Sequence, residues 1–109
     1  DGNIMFVSRK DFQVKINGFR VELGEIENTY ASLNKGKFCV AMPFVNQQGN
    51  TALAIIVEGR EYDYAEHKKA MSQILPAYEV PDKWLFIKTI PLNQNGKVDR
   101  KEIKRIFNL

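Results

Sequence analysis

The run Arg9-Lys10-Asp11-Phe12-Gln13-Val14-Lys15-Ile16-Asn17-Gly18-Phe19-Arg20-Val21-Glu22-Leu23-Gly24-Glu25-Ile26-Glu27 changes its periodicity partway along. From Phe12 to Ile16 the apolar residues fall on alternate positions, the repeat of a half-buried strand, with Gln13 and Lys15 on the other face. Gly18 then permits a turn. Phe19, Val21 and Leu23 alternate again, so the two arms read as a β-ribbon whose opposite face carries Arg20 and Glu22. Gly24 is expected to end the ribbon. A helix follows, because Glu25 and Glu27 suit the first-turn dipole and Ile26, Tyr30 and Leu33 recur at helical spacing.

Outward from this run, residues 4–7 are expected to form a strand and residues 8–11 a polar connector. Residues 34–37 read as a loop, and residues 38–45 as a buried strand interrupted by Pro43 near its end. After a polar turn at 46–50, the apolar, β-branched run from 51 to 57 has the character of a central strand covered on both faces. Asp63 and Glu66 have capping-box spacing before a second helix, which places Tyr64, Met71, Ile74 and Leu75 along one face and His67 on its more polar side. Pro76 stops that helix, and Lys83-Trp84-Leu85-Phe86-Ile87 supplies a third strand. The pair Asn95-Gly96 predicts a tight turn with positive φ, displaying Lys97. Asp99 then caps a last helix, with Glu102 at the box position, Val98 stapled to Ile103, and Ile103, Ile106 and Phe107 on one face. The fold class is α+β: a small three-stranded sheet with flanking helices plus an N-terminal two-stranded β-ribbon.

Composition narrows the function classes. At 109 residues the chain holds one small domain, too short for a nucleotide-binding domain together with a mobile lid. The formal charge of +3 is spread along the chain among thirteen acids, so no phosphate-tracking stripe for nucleic acid is visible. No apolar run is long enough to insert in a membrane. His67 is the single histidine and Cys39 the single cysteine, which leaves no metal-ligand constellation and no internal disulfide; the lone thiol fits a reducing, cytoplasmic setting. The abrupt start at Asp1-Gly2-Asn3 reads as a domain cut from a longer protein.

The opening run resembles the motif Gly-Arg-x-Asp-x-Gln-Val-Lys-Ile-Arg-Gly-x-Arg-Ile-Glu-Leu-Gly-Glu-Ile-Glu of the AMP-forming adenylating enzymes, the superfamily of acyl-CoA synthetases, peptide-synthetase adenylation domains and luciferases. Two later stretches agree in order: Leu75-Pro76-Ala77-Tyr78-Glu79-Val80-Pro81 is similar to Leu-Pro-x-Tyr-Met-Ile-Pro, and Asn95-Gly96-Lys97-Val98-Asp99-Arg100 matches Asn-Gly-Lys-Val-Asp-Arg. The resemblance covers almost the whole chain but only the family's small C-terminal domain. It implies a hinge-side connector at 1–11, with Asp11 as the hinge residue, and a lid domain at 12–109. Ser8 stands where the family has glycine, Asn17 where it often has arginine, and Glu79 where it usually has methionine.

The resemblance also assigns roles. Lys97 matches the lysine that stabilises charge on the α-phosphate of ATP as a carboxylate attacks it; without the motif it would read as an ordinary solvated lysine beside a turn. Arg9 is similar to an arginine that reaches the ribose and phosphate, and Gln13 to a residue that helps position the nucleotide. Gly18 matches the ribbon-tip glycine past which a phosphopantetheine arm reaches after the domain has rotated. ATP with Mg would be bound mainly by an N-terminal domain that this chain lacks, so the isolated domain is expected to be inactive. Implied partners are that N-terminal domain, a carrier protein with its phosphopantetheine arm, and a small carboxylic or amino acid. The motifs lie closest to amino-acid-activating members, with D-alanine–carrier protein ligases favoured because the chain stops soon after the lysine motif. The alternatives are the lid of an acyl-CoA or aryl-CoA ligase, or a non-catalytic interaction module.

Overall fold

The computed structural model of the chain describes residues 13–16, 18–34 and 38–109. The strand expected at 4–7, the connector, Arg9, Asp11 and Asn17 lie outside those residues. The ribbon is an antiparallel pair, β1 (Gln13–Ile16) and β2 (Phe19–Glu22), with Gln13 opposite Glu22 and Ile16 opposite Phe19. Its buried positions are Ile16 and Val21. Helix α1 (Leu23–Leu33) follows with no connector, so Gly24 lies in its first turn and does not end the ribbon. Glu22, in extended conformation, is both the last ladder residue and the N-cap, which lets Leu23 turn into the core. At the other end Asn34 stops the helix, its backbone N–H reaching the Tyr30 and Ala31 carbonyls and its side-chain amide donating to Tyr30 O at 2.8 Å.

The main sheet has the order β3 (Cys39–Val45), β4 (Thr51–Glu58), β5 (Lys83–Ile87), in which β3 and β4 are antiparallel and β4 and β5 parallel. Pro43 is tolerated because β3 is an outer strand that needs ladder bonds on one side only. The parallel pair is joined through helix α2 (Ala65–Ile74) and a short 3-10 turn (Ala77–Glu79). Helix α3 (Arg100–Phe107) closes the chain.

Strand periodicity divides the apolar residues between two cores. Cys39, Ala41, Leu53, Ile55 and Val57 face α1, α2 and the ribbon, where Ile26, Tyr30, Met71 and Trp84 complete the packing. Val40, Met42, Ala54 and Ile56 face α3, meeting Ile90 and Ile103. Residues 52–57 are all buried, as a strand covered on both faces requires. Tyr64 stacks on Trp84 at 4.9 Å, and the Tyr30 hydroxyl meets that of Tyr62.

Several local expectations change. Leu33, Ile74 and Ile106, placed on apolar faces by helical spacing, are exposed, because each lies on the last turn or outer flank of a short helix where no second layer covers it. The expected capping box does not form at α2: the N-cap is Tyr64, with no side-chain cap bond, and the Asp63 carboxylate one residue earlier accepts from Ala65 N–H, at 3.1 Å. His67 is turned toward the aromatic layer, 4.9 Å from the Tyr62 ring, and not to a polar face. Asp99 accepts from Glu102 N–H at 3.1 Å as an N-cap, while the Glu102 carboxylate pairs with Arg105 instead of reaching back. Val98 and Ile103 share one core, as the staple requires.

Candidate functional site

Lys97 belongs to a three-residue hairpin loop built by Asn93. Asn93 N–H donates to Lys97 O at 2.7 Å and Gly96 N–H to Asn93 O at 3.0 Å, while the Asn93 side-chain oxygen accepts from the N–H groups of Asn95 (2.8 Å) and Lys97 (3.1 Å). Positive φ is needed once, and Gly96 supplies it at +77°. The turn at 46–50 is a copy: Asn46 Oδ1 accepts from Gln48 and Asn50 N–H, Gly49 N–H reaches Asn46 O, and Gly49 has φ +83°. Both loops begin Asn-Gln-x-Gly, so the same sequence makes the same turn. Below the loop Leu92 bridges Val98, and Asp99 N–H is fixed to Pro91 O at 2.9 Å.

This rigid loop displays an exposed Lys97 side chain that makes no ion pair among the described residues. It borders an open groove of about 550 Å³ lined by Glu27, Cys39, Leu92, Val98 and Arg100 among others. Glu27 and Arg100 are engaged with each other and with the backbone of Ala41. Burial pushes the Glu27 carboxyl above its usual range, against the opposing pull of the Ala41 N–H and the Arg100 guanidinium. Burial, with the charge of Glu27 behind it, pushes the Cys39 thiol up strongly, so this cysteine is an inert wall residue. The groove therefore offers a mobile cation on a fixed base, suited to phosphate oxygens. No three His, Cys, Asp or Glu side chains among the described residues are grouped as metal ligands would be, and the groove's carboxylate, Glu27, is already bonded to Ala41 N–H.

The other expected residues lie elsewhere. Gln13 does not line the groove; its amide donates to Glu22 Oε1 at 3.1 Å and ties the open end of the ribbon. Gly18 sits exposed at the ribbon tip with φ +85°, and a Cβ added there would meet nothing within 4 Å. Space is free, but the left-handed backbone is not. Gly18→Ala is expected to cost about 1 kcal/mol of stability through φ alone, measured by urea unfolding of the chain; an unchanged midpoint would mean that the tip relaxes at no cost. Arg9 and Asp11 lie outside the described residues. Sequence reasoning missed Asn93, Glu27 and Arg100: the repeated Asn-Gln-x-Gly pattern was a usable signal for the first, whereas the other two meet only through the fold.

No family model matches the chain. Over 104 residues it is 42% identical to tyrocidine synthase 3 of Brevibacillus parabrevis, covering 94% of this chain and 2% of that protein. Over 111 residues it is 34% identical to the D-alanine–D-alanyl carrier protein ligase of Bacillus licheniformis, covering 95% of this chain and 22% of the ligase. The chain thus spans a small part of the curated relatives it matches. Among solved structures it superposes on a four-domain nonribosomal peptide synthetase bound to AMP and glycine with a TM-score of 0.73 and 40% identity, over 85% of this chain and 7% of that one. A Mycobacterium tuberculosis fatty acyl-CoA synthetase gives a TM-score of 0.77 at 19% identity, over 91% of this chain and 20% of its own, a likeness of fold.

Proposed function

From a chain that has the fold of the C-terminal domain of adenylate-forming enzymes, and is related in sequence to peptide-synthetase adenylation domains and D-alanine–carrier protein ligases, we propose the mobile lid of an ATP-dependent amino-acid ligase. Residues 12–109 are the lid and residues 1–11 its hinge-side connector, turning about Asp11. In the first half-reaction a substrate carboxylate attacks the α-phosphorus of ATP, the bond to the bridging oxygen breaks, and pyrophosphate leaves. Lys97 stabilises the charge that develops on the α-phosphoryl oxygens. Arg9 and Gln13 hold the nucleotide from the hinge side. Mg accompanying the ATP would neutralise phosphate charge and would be held mainly by the N-terminal domain. The lid then rotates, withdraws Lys97 and presents the ribbon. A phosphopantetheine thiolate passes Gly18, attacks the acyl carbonyl and expels AMP, leaving a thioester on the carrier protein.

The observation that carries this reading is the exposed Lys97 side chain on a loop whose Asn95, Gly96 and Lys97 N–H groups all bond to Asn93. A lysine so placed has reach without wandering at its base. That both kinds of relative align along nearly the whole chain supports an amino acid as the acid activated, D-alanine or a peptide-synthetase substrate. The test is amino-acid-dependent ATP–pyrophosphate exchange by the full-length enzyme over a panel that includes D-alanine and glycine, followed by transfer to holo carrier protein or to CoA. Exchange with one amino acid and transfer to the carrier is the expected result. Transfer to CoA alone would make the protein an acyl-CoA ligase, and nanomolar ATP binding by the 109-residue chain by itself would overturn the lid reading.

A further inference from the structure

Glu27 and Arg100 do more than pair with each other. Between them they take up both peptide groups of Ala41: Glu27 Oε2 accepts from Ala41 N–H at 2.9 Å, and Arg100 Nη1 donates to Ala41 O at 2.8 Å. Arg100 Nη2 lies 3.5 Å from the same Glu27 oxygen. Alternate residues of an outer antiparallel strand turn both peptide groups away from the ladder, and here two side chains stand in for the missing neighbour strand. Three elements meet at this point: α1 through Glu27, β3 through Ala41, and α3 through its first residue.

What lies on either side of this staple gives it consequence. Only Val98 and Asp99 separate Arg100 from Lys97, and Asp99 is held at its N–H by Pro91 O and at its carboxylate by Glu102 N–H. On the other side, α1 begins where the ribbon ends, so Glu27 sits on the same unbroken segment as β2. The Lys97 loop and the ribbon, distant in sequence, are thereby joined through rigid elements. Arg100 suits the position because its planar fork holds two donor groups in fixed geometry, Nη1 toward the carbonyl and Nη2 toward the carboxylate, where a lysine would offer one compact, freely rotating ammonium.

We propose that Glu27 and Arg100 are positioning residues that hold the Lys97 loop in register with the ribbon, so that lid rotation carries both working surfaces as one body. This rests on the role given to Lys97 above. In the full-length ligase Arg100→Met is expected to lower kcat for ATP–pyrophosphate exchange about 10- to 100-fold with little change in KM, the cost of misplacing a catalytic group by about an ångström. Transfer from a supplied acyl-adenylate, which does not use Lys97, stays close to the wild-type rate. Added to Lys97→Ala, Arg100→Met costs nothing further, because it acts through a lysine already gone. Glu27→Gln keeps an acceptor for Ala41 N–H and retains most of the exchange; if Arg100→Met does not fold, Arg100→Lys takes its place, with a several-fold loss confined to exchange expected and an equal loss in transfer overturning the proposal. Equal losses in both half-reactions, or a multiplied loss in the double variant, would overturn the proposal. Full exchange by Lys97→Ala would instead overturn the lysine's role, whatever Arg100→Met does.

Discussion

Lys97→Ala in the full-length ligase is expected to cut amino-acid-dependent ATP–pyrophosphate exchange by about 100- to 1,000-fold, the usual cost of removing one preorganised group from a developing anion. Carboxylate and triphosphate are both anions, and their reaction concentrates charge on the α-phosphoryl oxygens. A cation stabilises that transition state more than it stabilises the separated ground state, so kcat should fall much further than KM rises. The structure makes Lys97 a low-cost donor of charge, since the side chain is exposed and breaks no ion pair among the described residues when it moves to the phosphate. Its backbone is held at both N–H and C=O by Asn93, so the flexible part is the four-carbon stem alone. Lys97→Arg should recover part of the loss: charge is kept, but a planar fork replaces a point charge. Thioester formation from a supplied adenylate should be nearly unaffected. Undiminished exchange by Lys97→Ala would reduce the lysine to a surface residue.

The sequence was informative wherever structure is local. Alternation over residues 12–23 located both ribbon arms, the uninterrupted apolar run located β4, and Asp99 marked the start of α3. The two-core division was also implicit in that run, because a strand covered on both faces needs a layer on each side. Reading failed where tertiary context sets the outcome. Alternation places Leu23 on the ribbon, but its burial in the core makes it the first residue of α1 and the ladder ends at Glu22. Ile74 and Ile106 have helical spacing, but a domain this small has no further layer to bury them. His67 reads as polar until the fold brings Tyr62 and Tyr30 against it. For the site, Lys97 was legible as a motif residue on a turn, whereas the Glu27–Arg100 staple joins the last residues of two motif stretches and no spacing rule announces it. Arg9 and Asp11, legible by resemblance, lie outside the described residues.

A second large effect is expected at Glu79, where the resembling motif has methionine. Glu79 is only 6% exposed, and its Oε1 has no hydrogen-bond partner, so the chain buries a carboxyl where an apolar side chain would fit. Burial pushes its pKa from 4.5 up to about 7, helped by a hydrogen bond with the Glu25 side chain and by the negative charges of Glu25 and Glu22. The native state therefore holds a proton that the unfolded chain releases near pH 4.5. Between pH 4.5 and 7 the unfolded state binds fewer protons, so stability falls as pH rises and the loss is complete above about pH 7. The total is roughly 1–3 kcal/mol, from about 1.4 kcal/mol per pKa unit reduced for residual solvent. Glu79→Gln should flatten this slope, and Glu79→Met should also raise stability at pH 8 by a similar amount; urea unfolding from pH 4.5 to 8 measures both. Parallel pH profiles for wild type and Glu79→Gln would dismiss the buried proton. The position matters for function as well, because the 3-10 turn that carries Glu79 lies against β2, and its neighbour Tyr78 stacks on Phe19 at 4.2 Å, beside Gly18. Ionising Glu79 sets three carboxylates against one another beneath the ribbon, so on the proposed reading the same proton that stabilises the domain would firm the surface offered for thioester transfer. Transfer by the wild-type ligase should accordingly lose more between pH 6 and 8, relative to Glu79→Met, than adenylation does.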